Sequence, residues 1–168
     1  MERVIFLDID GVLNSNFWND SHQKEISDGT LIDEEKVALL AHLVKKTDAK
    51  IILHSGWRIW FDKDVHPIRQ ESRRLVEMFE TERIHIEGLT PDLTTEEIRK
   101  SKKFSLVKAD EILLWLHNHE KVKDWVVIDD LELHNEVVRK RQVKPDATVG
   151  LTPQDVEAAE KILLTKEY

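Results

Sequence analysis

Apolar residues in this chain fall into short dense runs separated by amphipathic stretches. Val4-Ile5-Phe6-Leu7 lies in the first run, and a strand is predicted over Arg3 to Ile9. A continuous apolar run of this length, rich in β-branched and aromatic residues, suits a strand buried on both faces. Lys50-Ile51-Ile52-Leu53-His54 predicts a second strand, Ile84-His85-Ile86 a short third, Trp125-Val126-Val127-Ile128 a fourth and Ala147-Thr148-Val149 a short last one. Between them the period changes. Asp33-Glu34-Glu35 opens a helix with acids in its first turn, and Val37, Leu40, Ala41 and Val44 share one face of it. Further helices are predicted over Pro67 to Glu80 (Ile68, Leu75, Val76 and Phe79 inward), Val107 to His119 (Ile112, Leu113, Trp115 and Leu116 inward) and Pro153 to Leu164, the last with proline in its first turn. Asn14 to Thr30 and Gly88 to Lys103 read as polar and loop-like.

Strands separated by helices imply right-handed crossovers. The expected fold is therefore α/β: a Rossmann-like parallel sheet of about five strands with helices on both faces, forming one domain over residues 1–168. Such sheets bind ligands at the carboxyl ends of their strands, near a topological switch. The chemically interesting residues all fall there. Asp8 and Asp10 follow the first strand, Ser55 the second, and Asp129 and Asp130 the fourth.

Composition narrows the chemistry. There is no cysteine, which removes disulfides, thiolate catalysis and cysteine-ligated zinc. The net charge of −8 argues against a broad nucleic-acid or membrane patch but leaves room for a local phosphate pocket. Without a basic-plus-apolar leader or an apolar run of membrane length, a cytoplasmic protein with no membrane partner is expected. Trp115 and Trp125 read as core residues, and Glu34-Glu35 and Glu96-Glu97 as solvated helix starts.

Four carboxylates at two strand ends need a compensating charge. Magnesium fits, because it prefers oxygen ligands and keeps room for waters and a substrate phosphate. An aspartate can attack phosphorus, and a second carboxyl group can protonate the leaving oxygen and then activate water. One acidic pair would supply this chemistry while the other holds metal. In His54-Ser55-Gly56-Trp57-Arg58, the Ser55 hydroxyl and the Gly56 N–H can donate to a phosphoryl oxygen; a cap or turn is the other use of Ser and Gly here. A fixed cation is also required. Lys108 is the candidate, with Lys102 and Lys103 as rivals.

These residues resemble the haloacid dehalogenase superfamily of phosphotransferases. Asp8-Ile9-Asp10-Gly11-Val12 is similar to its first motif, with a nucleophile and an acid/base aspartate two residues on. Ser55 resembles its second motif, Lys108 its third and Asp129-Asp130 its acidic fourth. Asp10-Gly11-Val12-Leu13-Asn14, Ser55-Gly56-Trp57-Arg58, Lys108 with Glu111-Ile112, and Gly150-Leu151-Thr152 narrow the resemblance to a subgroup that includes domains fused to RNA-repair enzymes. The resemblance implies a magnesium-dependent phosphatase working through an aspartyl phosphate. Asp8, Asp129, the backbone carbonyl of Asp10 and Asp130 would hold the metal. The two slots where this superfamily inserts a cap are too short for a folded domain, so a capless, open site is expected. Such a site suits a phosphorylated substrate as bulky as a nucleic-acid end. Trp18, His22, Trp57, Arg58 and Trp60 would shape its entrance, with Arg58 contacting substrate or forming a surface salt bridge. A non-catalytic phosphate- or nucleic-acid-end-binding module of the same fold is the alternative. A receiver-like signalling domain fits poorly, because such domains place the phosphoacceptor after a later strand.

Overall fold

The structure, a computed structural model, describes residues 2–16 and 22–166. Its centre is β1 (Glu2–Leu7), whose side chains alternate between two cores. Val4 and Phe6 point to one face of the sheet and Ile5 and Leu7 to the other, all essentially inaccessible to solvent. β4 (Lys50–Leu53) and β6 (Val122–Ile128) flank β1, and β5 (Ile86–Leu89) and β7 (Gln142–Val143) form the edges. The order is β5-β4-β1-β6-β7, and every pair is parallel. The chain leaves β1 toward one edge and later returns to its other side, so the switch point lies at β1.

Helices cover both faces. α1 (Glu34–Thr47), α2 (Gln70–Thr81) and α6 (Pro153–Leu164) pack over Ile5, Leu7, Ile51, Leu53, Val126 and Ile128. α4 (Ser105–His117) packs over Val4, Phe6, Ile52 and Val127. There Phe6 meets Trp115 and Trp125 edge-on, with ring centroids 5.3 and 6.0 Å away. Local chemistry sets the helix starts. The Asp33 carboxylate accepts from the Glu35 N–H, and Thr152 and Asp155 form a reciprocal capping box under Pro153.

Several sequence expectations shift. Ala147-Thr148-Val149 is a turn rather than a strand: the Asp146 carboxylate accepts from the Thr148 N–H and hydroxyl, and its carbonyl accepts from Val149 and Gly150. The edge strand is Gln142–Val143 instead. The third strand begins at Ile86, because Ile84 is used in closing α2, its N–H donating to the Phe79 carbonyl. Ile68 lies outside α2 and is exposed. The stretch read as loop up to Thr30 contains a hairpin of β2 (Gln23–Ser27) and β3 (Thr30–Asp33), turned by Asp28-Gly29 with both residues at positive φ. Gly88 to Lys103 contains the end of β5 and α3 (Glu96–Ser101), and a short α5 (Glu136–Arg139) follows β6. Among the described residues neither cap slot holds a separate domain, and no helix is long and apolar enough to cross a membrane.

Phe6→Ala removes the ring that joins β1 to both tryptophans. The expected loss is about 3–5 kcal/mol of unfolding free energy, read from urea titrations followed by tryptophan fluorescence.

Candidate active site

Parallel register brings the acidic groups together. Leu7 pairs with Ile128, so the next residues, Asp8 and Asp129, emerge side by side at the carboxyl end of the sheet. Asp8 continues the ladder by donating its N–H to the Ile128 carbonyl at 2.9 Å. Carboxylate oxygens of Asp8, Asp129 and Asp130 lie within 4.8 Å of one another. Lys108, in the first turn of α4, sends its ammonium group between them, 2.6 Å from Asp129 Oδ2 and 3.7 Å from Asp8 Oδ1. Lys102 and Lys103 are exposed at the end of α3 and have no place in the cluster.

The electrostatics are unbalanced. Burial, then the Asp129 charge, pushes the Asp8 carboxyl well above the usual carboxylate range, although Lys108 opposes the rise. Burial also raises Asp129 against the pull of Lys108. For Lys108 burial alone would lower the pKa, but Asp8 and Asp129 carry it above its ordinary value. If all three carboxylates are to be ionised together, one ammonium leaves two negative charges uncompensated. A divalent cation matches that deficit, and three hard oxygen donors suit magnesium. The space is kept by Gly11, which sits at φ +80°; a Cβ there would meet Asp130 Oδ2 at 2.6 Å. The Asp10 side chain is not in this group.

Asp10 instead faces a cleft and is exposed. Its two oxygens are fixed from opposite sides: Asn14 Nδ2 donates to Oδ1 at 2.9 Å and Trp57 Nε1 to Oδ2 at 3.1 Å. Asn14 is itself oriented, because its Oδ1 accepts from the Gly11 N–H at 2.8 Å and its Nδ2 also donates to the Leu31 carbonyl in β3. Neither Asn14 nor Trp57 carries an acid/base signal in the sequence. Only the side-chain geometry reveals that they hold the carboxylate.

After β4 the chain enters a 3-10 helix, Gly56–Trp60. Ser55 caps it, its hydroxyl accepting from the Trp57 N–H at 3.2 Å, which leaves the hydroxyl proton free to donate elsewhere. As the first helical residue, Gly56 has an N–H without an intrahelical acceptor. A Cβ at 56 would meet no protein atom within 4 Å, so the backbone there is open to a ligand.

Arg58 turns away from this donor pair. It forms a 2.9 Å ion pair with the fully buried Glu111 and donates to Thr90 Oγ1 and the Pro91 carbonyl. The salt bridge is present and is buried rather than at the surface, and Arg58 also lines the cleft that borders Gly56. Glu111 also accepts from the Leu93 N–H, and the buried His54 shares the Thr90 hydroxyl at 2.7 Å. Thr90 lies in a stretch whose sequence reads only as loop. Trp57 is buried and Trp60 lines the cleft. His22 pairs with Glu35 at 3.3 Å, and Trp18 falls outside the described residues.

Two measurements follow from this buried network. Arg58→Ala strands the Glu111 carboxylate and is expected to cost about 3–5 kcal/mol in urea titrations, whereas Arg58→Met with Glu111→Leu recovers most of the loss. Burial, then the charges of Lys108 and Arg58, hold the His54 pKa well below 6.5. In the window below 6.5 the unfolded chain therefore binds a proton that the folded protein refuses. The contribution is complete above that pH and fades as pH falls, by about 1.4 kcal/mol per unit until the folded pKa is reached. Stability titrations on either side of that pH should fall less steeply in His54→Gln than in the parent.

No curated protein matches the chain closely enough to serve as a relative. Residues 4–156 match the family described as the HAD domain in Swiss Army Knife RNA repair proteins, a span that takes in Asp8, Asp10, Ser55, Lys108, Asp129 and Asp130. The chain therefore belongs to the haloacid dehalogenase superfamily, within that family of HAD domains.

Proposed function

We propose that the protein is a magnesium-dependent phosphomonoester hydrolase that works through an aspartyl phosphate on Asp8. The observation that carries this reading is the meeting of Asp8, Asp129 and Asp130 oxygens within 4.8 Å, with the Lys108 ammonium beside them. The residues that would hold magnesium are Asp8, Asp129, Asp130 and the backbone carbonyl of Asp10. When bound, it supplies the positive charge that lets three carboxylates stay ionised while a phosphate dianion approaches.

The remaining work belongs to the chain. Ser55 Oγ–H, the Gly56 N–H and the Lys108 ammonium orient the phosphoryl oxygens. One Asp8 carboxylate oxygen attacks phosphorus as the bond to the leaving oxygen breaks, and the Asp10 carboxyl proton passes to that oxygen. Asp10, now a carboxylate, takes a proton from water as the water attacks phosphorus. Inorganic phosphate leaves and Asp8 is regenerated. Phosphoryl transfer asks the protein chiefly for alignment and charge, and the site offers both. Arg58 serves as a support that fixes the turn presenting Ser55 and Gly56, and it also lines the cleft beside Gly56, where it would meet a substrate. The open, capless approach favours a bulky phosphorylated substrate, and the RNA-repair context of the family makes a nucleic-acid end one candidate.

Asp8→Asn is expected to abolish magnesium-dependent hydrolysis of p-nitrophenyl phosphate while leaving the far-ultraviolet circular dichroism unchanged. Asp10→Asn should slow turnover about 10²–10⁴-fold and let an acid-stable, hydroxylamine-sensitive acyl phosphate accumulate. Full activity in Asp8→Asn would remove the nucleophile. Phosphate binding without any release in the parent protein would leave a binding module instead.

A further inference from the structure

Two clefts flank the phosphoryl site, and their charges differ. One, about 450 Å³, borders Gly56 and carries Arg58, Arg99 and Lys108 on its walls together with Asp92 and Glu111. The other, about 560 Å³, borders Asp10 and falls within the size of small-molecule sites. Its described lining includes Asn14, Ser15, Asn16, Thr30 and Trp60, and Asp10 is the only ionisable group among the described lining residues. Asp10 is held by Asn14 and Trp57 with its carboxylate facing this space. A general acid must lie against the oxygen it protonates. The alcohol half of the ester therefore belongs in the second cleft, while the phosphate dianion belongs beside Lys108.

The walls of that cleft say what the alcohol is. Trp60 offers an indole braced by Trp57, 4.9 Å away between ring centroids, and by the Arg69 guanidinium 5.6 Å from its own centroid. Ser15 Oγ is buried and has no hydrogen-bond partner among the described residues, so a hydroxyl on the ligand would satisfy it. No lysine, arginine or histidine among the described lining residues could receive a second phosphate. Resting on the reading of Asp10 as acid, we infer that the cleft selects uncharged leaving groups that combine a flat ring with hydroxyls. That is the chemistry of a nucleoside, taken from a nucleoside monophosphate. The bond between phosphorus and the ester oxygen breaks, Asp10 supplies the proton, and the neutral nucleoside departs.

The test compares kcat/KM for adenosine 5′-monophosphate, adenosine 3′,5′-bisphosphate and glycerol 2-phosphate, with p-nitrophenyl phosphate as the control for phosphatase activity. The monophosphate should exceed glycerol 2-phosphate by about fivefold or more, the size of a single stacking contact. The bisphosphate should be no better than the monophosphate. Trp60→Ala should shrink the first ratio, acting mainly through KM. Thr30→Lys, which places a cation in the cleft, should raise the bisphosphate relative to the monophosphate. A first ratio below that threshold, or a parent preference for the bisphosphate, overturns the inference even if Trp60→Ala fails to fold. If p-nitrophenyl phosphate is not hydrolysed, the phosphatase reading fails separately. Tryptophan quenching by the same three phosphates then decides the cleft, with the same order required.

Discussion

Everything in this molecule is arranged around the repulsion between carboxylates at the end of two neighbouring buried strands. β1 and β6 run parallel with Leu7 opposite Ile128, so burying their apolar residues forces Asp8 beside Asp129. Neither can withdraw into water, because each is fixed to the rigid end of a strand sealed on both faces. Lys108 relieves only part of the strain. The core thus does more than stabilise the fold: it keeps in place a charge imbalance that a flexible loop would relax. This is the physical basis for expecting a cation and a phosphate to be drawn to the same spot.

Around that centre the structure separates a dry side from an open one. His54, Thr90, Arg58 and Glu111 form a buried polar network beneath the Ser55–Gly56 turn, in which His54 Nε2, Arg58 Nε and Glu111 Oε1 have no hydrogen-bond partner among the described residues. A buried ion pair of this kind contributes little net stability relative to apolar packing, but it penalises any displacement of either partner. Its contacts meet the turn directly, since Arg58 belongs to that turn and donates its N–H to the Ser55 carbonyl. Asp10, by contrast, stands at the edge of water, and side-chain hydrogen bonds from Asn14 and Trp57 keep its carboxylate aimed.

The sequence discloses the sheet centre and the acidic residues because both are written in local patterns. Uninterrupted apolar runs can be satisfied only by strands buried on two faces, and acids directly after them can lie only at strand ends. Even the choice of Lys108 over Lys102 and Lys103 can be argued, since Lys108 alone is followed by a helical apolar face. What stays hidden depends on contacts far apart in the chain. Arg58 gives no local sign that its partner is Glu111, nor Trp57 that its indole reaches Asp10. Ala147-Thr148-Val149 reads as a last short strand because its composition is strand-like. The Asp146 side chain turns those residues instead, and Gln142–Val143 pairs with β6. The β2–β3 hairpin carried a usable signal in Asp28-Gly29, but its strands are too polar for periodicity to expose them.

The turn that follows β7 reaches further than its position suggests. Gly150, at φ +81°, lies so close to the loop after β1 that a Cβ would fall 2.9 Å from the Asn14 carbonyl and 3.0 Å from that of Val12, and the Leu151 N–H donates to the same Val12 carbonyl. The segment bearing Asp10 is therefore moulded against a seam supplied by residues near the far end of the sequence. Anyone transplanting the acidic loop into another scaffold would have to carry residues 146–151 with it, because the two segments form a single interchangeable part.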